Sequence, residues 1–396
     1  MRSQRGWQAA LAWASCAIGL LVLFMVAGTA AVAAQHVVPE RVAQSARWKA
    51  SQFVQADAAG RVFLLRTDTF EVYPLTPKGA LDEASRLERL SGDEDPFIRD
   101  AALSPDGRDW LLLDVVQGPR LFHNGKEQPL TELGWRAAAV ALPAGRPLIA
   151  VSPVPAHEVH LRVRSDGKVM LDSKESPPAL VSLTGSDWKA VVREDYEFGS
   201  SDWREANGRM RLLRAVRLTA EPKGGVWVAD EFGYRLRKFS PSGQLRSTLT
   251  VGIGKPVVAQ RPPADLEKRV AQSREVTGQR VDPASLRFTA PHVVNGLAAT
   301  KDGRLYVVVE AAGQGRKAQL AVDRFDPSGR KLERLFLDGL DSIAGRLSVA
   351  AGRDALYIAA FSGDSGGVWR LPWDLLDGAS WEKVADAKID GQVLAD

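Results

Sequence analysis

The stretch that decides the fold runs Val216-Arg-Leu-Thr-Ala-Glu-Pro-Lys-Gly-Gly-Val-Trp-Val-Ala-Asp230, then Tyr234-Arg-Leu-Arg-Lys-Phe-Ser-Pro-Ser-Gly243, then Gln244-Leu-Arg-Ser-Thr-Leu-Thr-Val251. Short apolar and β-branched runs alternate with turns carrying Gly, Pro and Ser, which is the pattern of successive antiparallel strands. A second copy follows, from Asn295 to Leu337, with Leu297-Ala-Ala-Thr-Lys-Asp-Gly-Arg-Leu-Tyr-Val307 and Val322-Asp-Arg-Phe-Asp-Pro-Ser-Gly-Arg-Lys-Leu332. Less regular copies begin near Trp48, Ile98, Trp135, Ala179 and Gly345, so that seven units of about 40–50 residues fill the chain from Trp48 onward. One four-stranded sheet of this size cannot shield both faces from water, and stacking such sheets around an axis solves the problem for all of them. The expectation is an all-β, single β-propeller of seven four-stranded blades over residues 35–396. Six is the alternative count, because the unit near Ala179 matches poorly and a strand from before Trp48 can complete the ring. The repeated Pro-Asp-Gly, Lys-Asp-Gly and Pro-Ser-Gly triplets supply the positive-φ positions of tight hairpins and read as turns, not as calcium loops.

Composition fits an ordinary globular chain, with 45% hydrophobic and 25% charged residues. A net charge of +4 on 52 basic and 48 acidic residues, with no basic cluster interleaved with aromatics, argues against a nucleic-acid partner. Residues 1–34 stand apart: Arg2 and Arg5 precede the apolar core Ala17-Ile-Gly-Leu-Leu-Val-Leu-Phe-Met-Val-Ala27 and the small residues Ala31-Val32-Ala33. This is the pattern of a secretory signal peptide, although the uncharged run is also long enough to span a bilayer as an N-terminal hydrophobic helix. In either case the rest of the chain is expected outside the cytoplasm, periplasmic or secreted, and membrane-bound only through an uncleaved leader. Cys16, the one cysteine, lies within that segment, so disulfides do not hold the domain together. A monomer is expected.

Residues 252–292, with Pro256, Pro262, Pro263 and a polar helical run from Pro263 to Glu275, break the rhythm and read as an insertion on one face of the ring.

Val226-Trp-Val-Ala-Asp230 followed by Arg235-Leu-Arg-Lys-Phe-Ser-Pro-Ser-Gly243 resembles an NHL repeat, with Phe232-Gly233-Tyr234 replacing that repeat's usual asparagine turn. The resemblance implies a propeller of six or seven blades, used in that superfamily as a protein-binding platform or as an enzyme. Asn295-Gly296-Leu297 before Lys301-Asp-Gly-Arg304 is similar to the ligand turn of gluconolactonase and senescence-marker-type propellers. That likeness implies a calcium ion in the axial channel, held in part by Asn295, and a divalent-cation-dependent lactonase or ester hydrolase. Calcium takes six to eight oxygens, and the positions aligned with Asn295, namely Val216, Arg99 and Gly345, supply no such side chain. Ser362-Gly-Asp-Ser-Gly-Gly367 copies the surroundings of a protease nucleophile, but no histidine stands in a context that marks it as the base. The same stretch with Trp369 resembles an Asp-box, a structural hairpin. His157 and His160 are an odd number of residues apart and point to opposite faces of a strand, which disfavours joint metal binding.

Asp230, Glu231 and Glu310 fall at the ends of second strands, where loops open onto one rim of the ring, and with Trp203 they are the candidate ligand-binding residues. No catalytic residue is assigned. Of the eleven tryptophans, Trp110, Trp188, Trp227 and Trp369 read as packing between blades, while Trp203, Trp373 and Trp381 are candidates for an exposed groove. The leading functional expectation is an exported ligand- or protein-binding module, with a protein or polysaccharide on a loop-built face and no cofactor. The cation-dependent hydrolase is the alternative.

Overall fold

A computed structural model describes residues 36–44, 52–67, 69–82, 98–155, 161–163, 169–171, 178–193, 216–230, 234–251, 293–312, 318–326, 332–340, 347–360, 367–384 and 387–388. The leader 1–34 and its hydrophobic helix, the insertion 252–292, Glu231, Trp203, His157, His160 and the Ser362–Gly366 stretch lie outside these residues.

The strands form six antiparallel blades around one axis. Their inner strands are Gln52–Ala56, Ile98–Leu103, Trp135–Ala141, Val216–Ala220, Val293–Ala299 and Leu347–Ala351, for blades 1 to 6. Each inner strand touches the next, and Leu347–Ala351 returns to Gln52–Ala56, so the circle is closed.

The count is six where the repeat period gives seven. The units near Trp135 and Ala179 are two halves of one sheet: Leu148–Pro155 pairs directly with Pro178–Thr184 through Leu148↔Ser182 and Ala150↔Leu180. Between them a small hairpin, Leu161–Val163 with Val169–Leu171, pairs only with itself among the described strands. Leu161–Val163 and Val169–Leu171, on either side of the Arg164-Ser-Asp-Gly-Lys168 sequence, therefore belong to an excursion from blade 3, not to a blade of their own. Composition fits the smaller ring. Six inner strands crowd the axis more than seven, and they are rich in alanine there, with Ala101, Ala102, Ala138, Ala139, Ala141, Ala298 and Ala350 all buried.

The segment before Trp48 supplies the closing strand. Glu40–Gln44 pairs antiparallel with Gly367–Pro372 as the outer strand of blade 6, so the first and last parts of the ring share one sheet. His36–Val37 adds a parallel pair to Leu332–Leu337 of blade 5, and His36 Nδ1 lies 2.8 Å from Asp338. Glu382–Lys383 pairs with that same blade 5 strand, and Ala387–Lys388 pairs with Leu245–Val251 of blade 4. These additions occupy backbone edges that would otherwise remain open to foreign strands.

Between blades the core is aliphatic and aromatic. Trp110, Trp227 and Trp369 are buried, as the sequence predicts, and half-buried Trp188 donates its indole N–H to Thr131 O at 2.8 Å. Blades 4 and 5 also share a polar staple: fully buried Asp323 accepts both Arg334 Nε at 2.6 Å and Arg334 Nη2 at 2.7 Å, and it accepts the Tyr234 hydroxyl as well. Burial, followed by the Asp323 charge, pushes the Tyr234 phenol well above its ordinary value, so it stays a donor.

Candidate functional site: an axial cavity at the first-turn end

An inner strand of a propeller has a neighbour on one side only, so its other edge presents N–H and C=O groups to the axis. In blades 1, 2 and 3 this edge is answered by a side chain from the preceding blade. The Ser348 hydroxyl accepts from Val54 N at 3.1 Å and donates to Val54 O at 2.8 Å. Gln55 Nε2 donates to Ala101 O at 2.9 Å, and the Asp100 carboxylate accepts from Val140 N at 3.0 Å. Between blades 5 and 6 the sequence uses close approach instead. A Cβ on Gly296 would stand 2.5 Å from Val349 Cγ2 and 2.9 Å from Leu347 O, so only glycine fits.

What remains along the axis is a cavity of about 750 Å³. Asp100, Arg217, Gly296 and Ser348 line its deep part, and the turns joining first to second strands form its mouth. That size suits a small organic ligand or the end of a chain. Ala56, Ala220, Ala299 and Ala351, each the last residue of an inner strand, are half-buried and line the wall. Trp373, in the short helix Trp373–Gly378, closes one side; its indole donates to Gly352 O at 3.1 Å and its ring lies against Tyr306.

The mouth owes its order to the same turns that the sequence marks as punctuation. Gly60, Gly107, Gly224 and Gly303 all take positive φ there. Asp57 accepts from Ala59 N and Arg61 N at 2.9 Å and from Arg61 Nε at 2.6 Å, so its carboxylate closes its own turn, as a structural aspartate does. Backbone bonds then chain neighbouring turns together: Arg353 N donates to Gly60 O and Ala58 N to Pro105 O, both at 2.8 Å. Glu221 is held by the Trp227 indole at 2.8 Å and by Lys238 at 2.9 Å. Asp302 pairs with Arg304 at 3.0 Å, and Asp377 approaches Arg304 at 3.6 Å.

Of the ligand-binding candidates from the sequence, Asp230 and Glu310 are described, and they occupy the opposite end of the ring. Asp230 sits opposite Val216, and Glu310 opposite Val293, where the inner strands begin. They share that rim, as expected, but differ in state. Asp230 accepts Arg235 Nε at 2.7 Å and Arg237 Nη2 at 2.9 Å, and so serves blade 4 itself. Burial raises the Asp230 carboxyl against the pull of Arg235, and burial lowers Arg237 to about 10, which leaves the arginine charged at neutral pH. Glu310 has no ion-pair partner among the described residues, and burial raises its pKa. Asn295, the candidate metal ligand, is buried at an irregularity in the pairing of its strand and does not line the cavity. Among the described residues no three His, Cys, Asp or Glu side chains gather closely enough to hold an ion.

The cavity rim was missed in the sequence, apart from Trp373. Lys301, Arg353 and Glu221 stand in or beside turns whose pattern reads as structure alone. The usable signal was the alanine that ends five of the six inner strands.

Fold and site together define a six-bladed β-propeller with a ligand-sized axial cavity. No family model and no curated protein matches the sequence. Solved propellers do match in shape. A gluconolactonase from Xanthomonas campestris is 12% identical with a TM-score of 0.43, covering 86% of this chain and 97% of that one. Virginiamycin B lyase from Staphylococcus aureus is 10% identical with a TM-score of 0.40, covering 84% and 97%. The WD40 repeats of RRP9 are 12% identical with a TM-score of 0.44, covering 85% and 99%. These likenesses concern the fold alone.

Proposed function

We propose that the chain is an exported propeller that acts as a ligand-binding module, with the axial cavity as its site. One observation carries this reading: a cavity of about 750 Å³ is framed by closed, mutually bonded strands and turns, and its rim carboxylates Asp57, Glu221, Asp302 and Asp377 each face a cation. Carboxylates engaged in this way are poor candidates for acid–base chemistry, whereas a rigid wall is what a binding site requires. The leader pattern of residues 1–34 supports export. Its removal would leave His36–Val37 at the very start of the mature chain, already paired to blade 5.

The test is a thermal-shift screen of the mature chain against a broad set of small metabolites, repeated on Ala220→Phe. Ala220 lines the cavity and belongs to none of the buried core clusters, so phenylalanine there fills space without displacing the core. Ligands that stabilise the native chain and lose at least ten-fold affinity for the variant support the reading. Equal shifts for both proteins count against it. A rise in melting temperature on adding calcium, reversed by chelator, would favour the cation-dependent hydrolase instead. N-terminal sequencing of exported protein checks the leader: the expected first residue is near Gln35, and an intact Met1 would mean an anchor.

A further inference from the structure

Not every charge around the cavity mouth is paired. Asp57 is paired with Arg61, Glu221 with Lys238, and Asp302 and Asp377 with Arg304. Two charged groups of the rim remain, Lys301 in the first turn of blade 5 and Arg353 in the first turn of blade 6. Both are exposed, and neither has an ion-pair partner among the described residues. In the deep part the Asp100 carboxylate accepts from the N–H groups of Ala101 and Val140, and buried Arg217 also lines the cavity. Behind the rim the wall is alanine. Two cations without an ion pair at the edge of a concave, low-dielectric site favour a ligand group of the opposite sign beside them.

Taking the cavity as the binding site proposed above, we infer that it selects an organic anion: a compact apolar body that fits the alanine wall, with a carboxylate, sulfonate or phosphate group met by Lys301 and Arg353. The apolar part contributes by burial, and the cations supply the preference for charge.

Two fluorescent probes with the same aromatic body separate the contributions, namely 8-anilinonaphthalene-1-sulfonate and the uncharged N-phenyl-1-naphthylamine. Both are titrated into the mature chain, into Lys301→Glu/Arg353→Glu, and into Ala220→Phe. The sulfonate is expected to bind with one-to-one stoichiometry and at least ten-fold more tightly than the amine. It should weaken several-fold between low and high salt, and the charge-reversed variant should lose that preference while binding the amine as before. Both probes should weaken on Ala220→Phe. A sulfonate that binds no better than the amine, or that ignores the charge reversal, overturns the anion preference and leaves the cavity reading intact. Probes that bind Ala220→Phe as they bind the native chain overturn both. Melting curves of each variant verify the fold.

Discussion

The two ends of the ring are built differently. At the end where first strands turn into second strands, the connections are short and tied to one another, as in Arg353 N to Gly60 O and Ala58 N to Pro105 O. At the other end the inner strands begin, and the described groups there include Gln52, whose buried amide has no hydrogen-bond partner among the described residues, together with Asp230 and Glu310. The cavity belongs to the first end. Acidic residues at strand ends draw attention in a sequence, but a site also needs space. Here space arises where five inner strands finish in alanine.

This contrast assigns stability to the contacts between blades and binding to the tied turns, and substitutions can break it. The largest effect is expected from Asp323→Ala, which strands the buried Arg334 guanidinium and the Tyr234 hydroxyl between blades 4 and 5. Removing one partner of a buried ion pair costs about 3–5 kcal/mol, readable as a shift in urea midpoint. A loss near zero would mean that the staple is dispensable. Next is Ser348→Ala, which leaves Val54 N–H and C=O unanswered at the junction of blades 6 and 1. A cost of about 1–3 kcal/mol is expected from unfolding curves.

The rim should behave otherwise. Lys301→Glu/Arg353→Glu touches exposed groups with no ion pair, so stability should move by less than about 0.5 kcal/mol per site even as probe binding changes. A large stability loss there would erase the distinction between the two kinds of contact. The smallest effect concerns Glu310. Burial raises its carboxyl above the ordinary 4.5, so the unfolded chain releases this proton first as pH rises. Stability is therefore lost between that pH and the higher folded value, and Glu310→Gln should remove this part of the slope in melting temperature against pH. An unchanged slope would show that Glu310 is well solvated.

Much of the architecture was legible because turns repeat. Val226-Trp-Val-Ala-Asp230 and its echo at Leu305–Glu310 each form the second strand of a blade, and Trp227 packs between blades as its place in the repeat implies. The blade count was not legible, because a hairpin inserted within blade 3 carries the same turn chemistry as a blade. Period alone cannot separate an excursion from a unit; only the pairing of Leu148 with Ser182 does. The site was less legible still. Asp230 looked available because its partners Arg235 and Arg237 lie on the next strand, where sequence gives no sense of their reach. Lys301 and Arg353 looked like ordinary turn residues because their importance depends on what the neighbouring turns neutralise.

The most direct check on the central claim is a crystal structure of the mature chain with 8-anilinonaphthalene-1-sulfonate bound. The account predicts density for the aromatic rings against Ala220, Ala299 and Ala351, with the sulfonate at Lys301 and Arg353. Density instead beside Asp230 and Glu310, with the cavity empty, would contradict it.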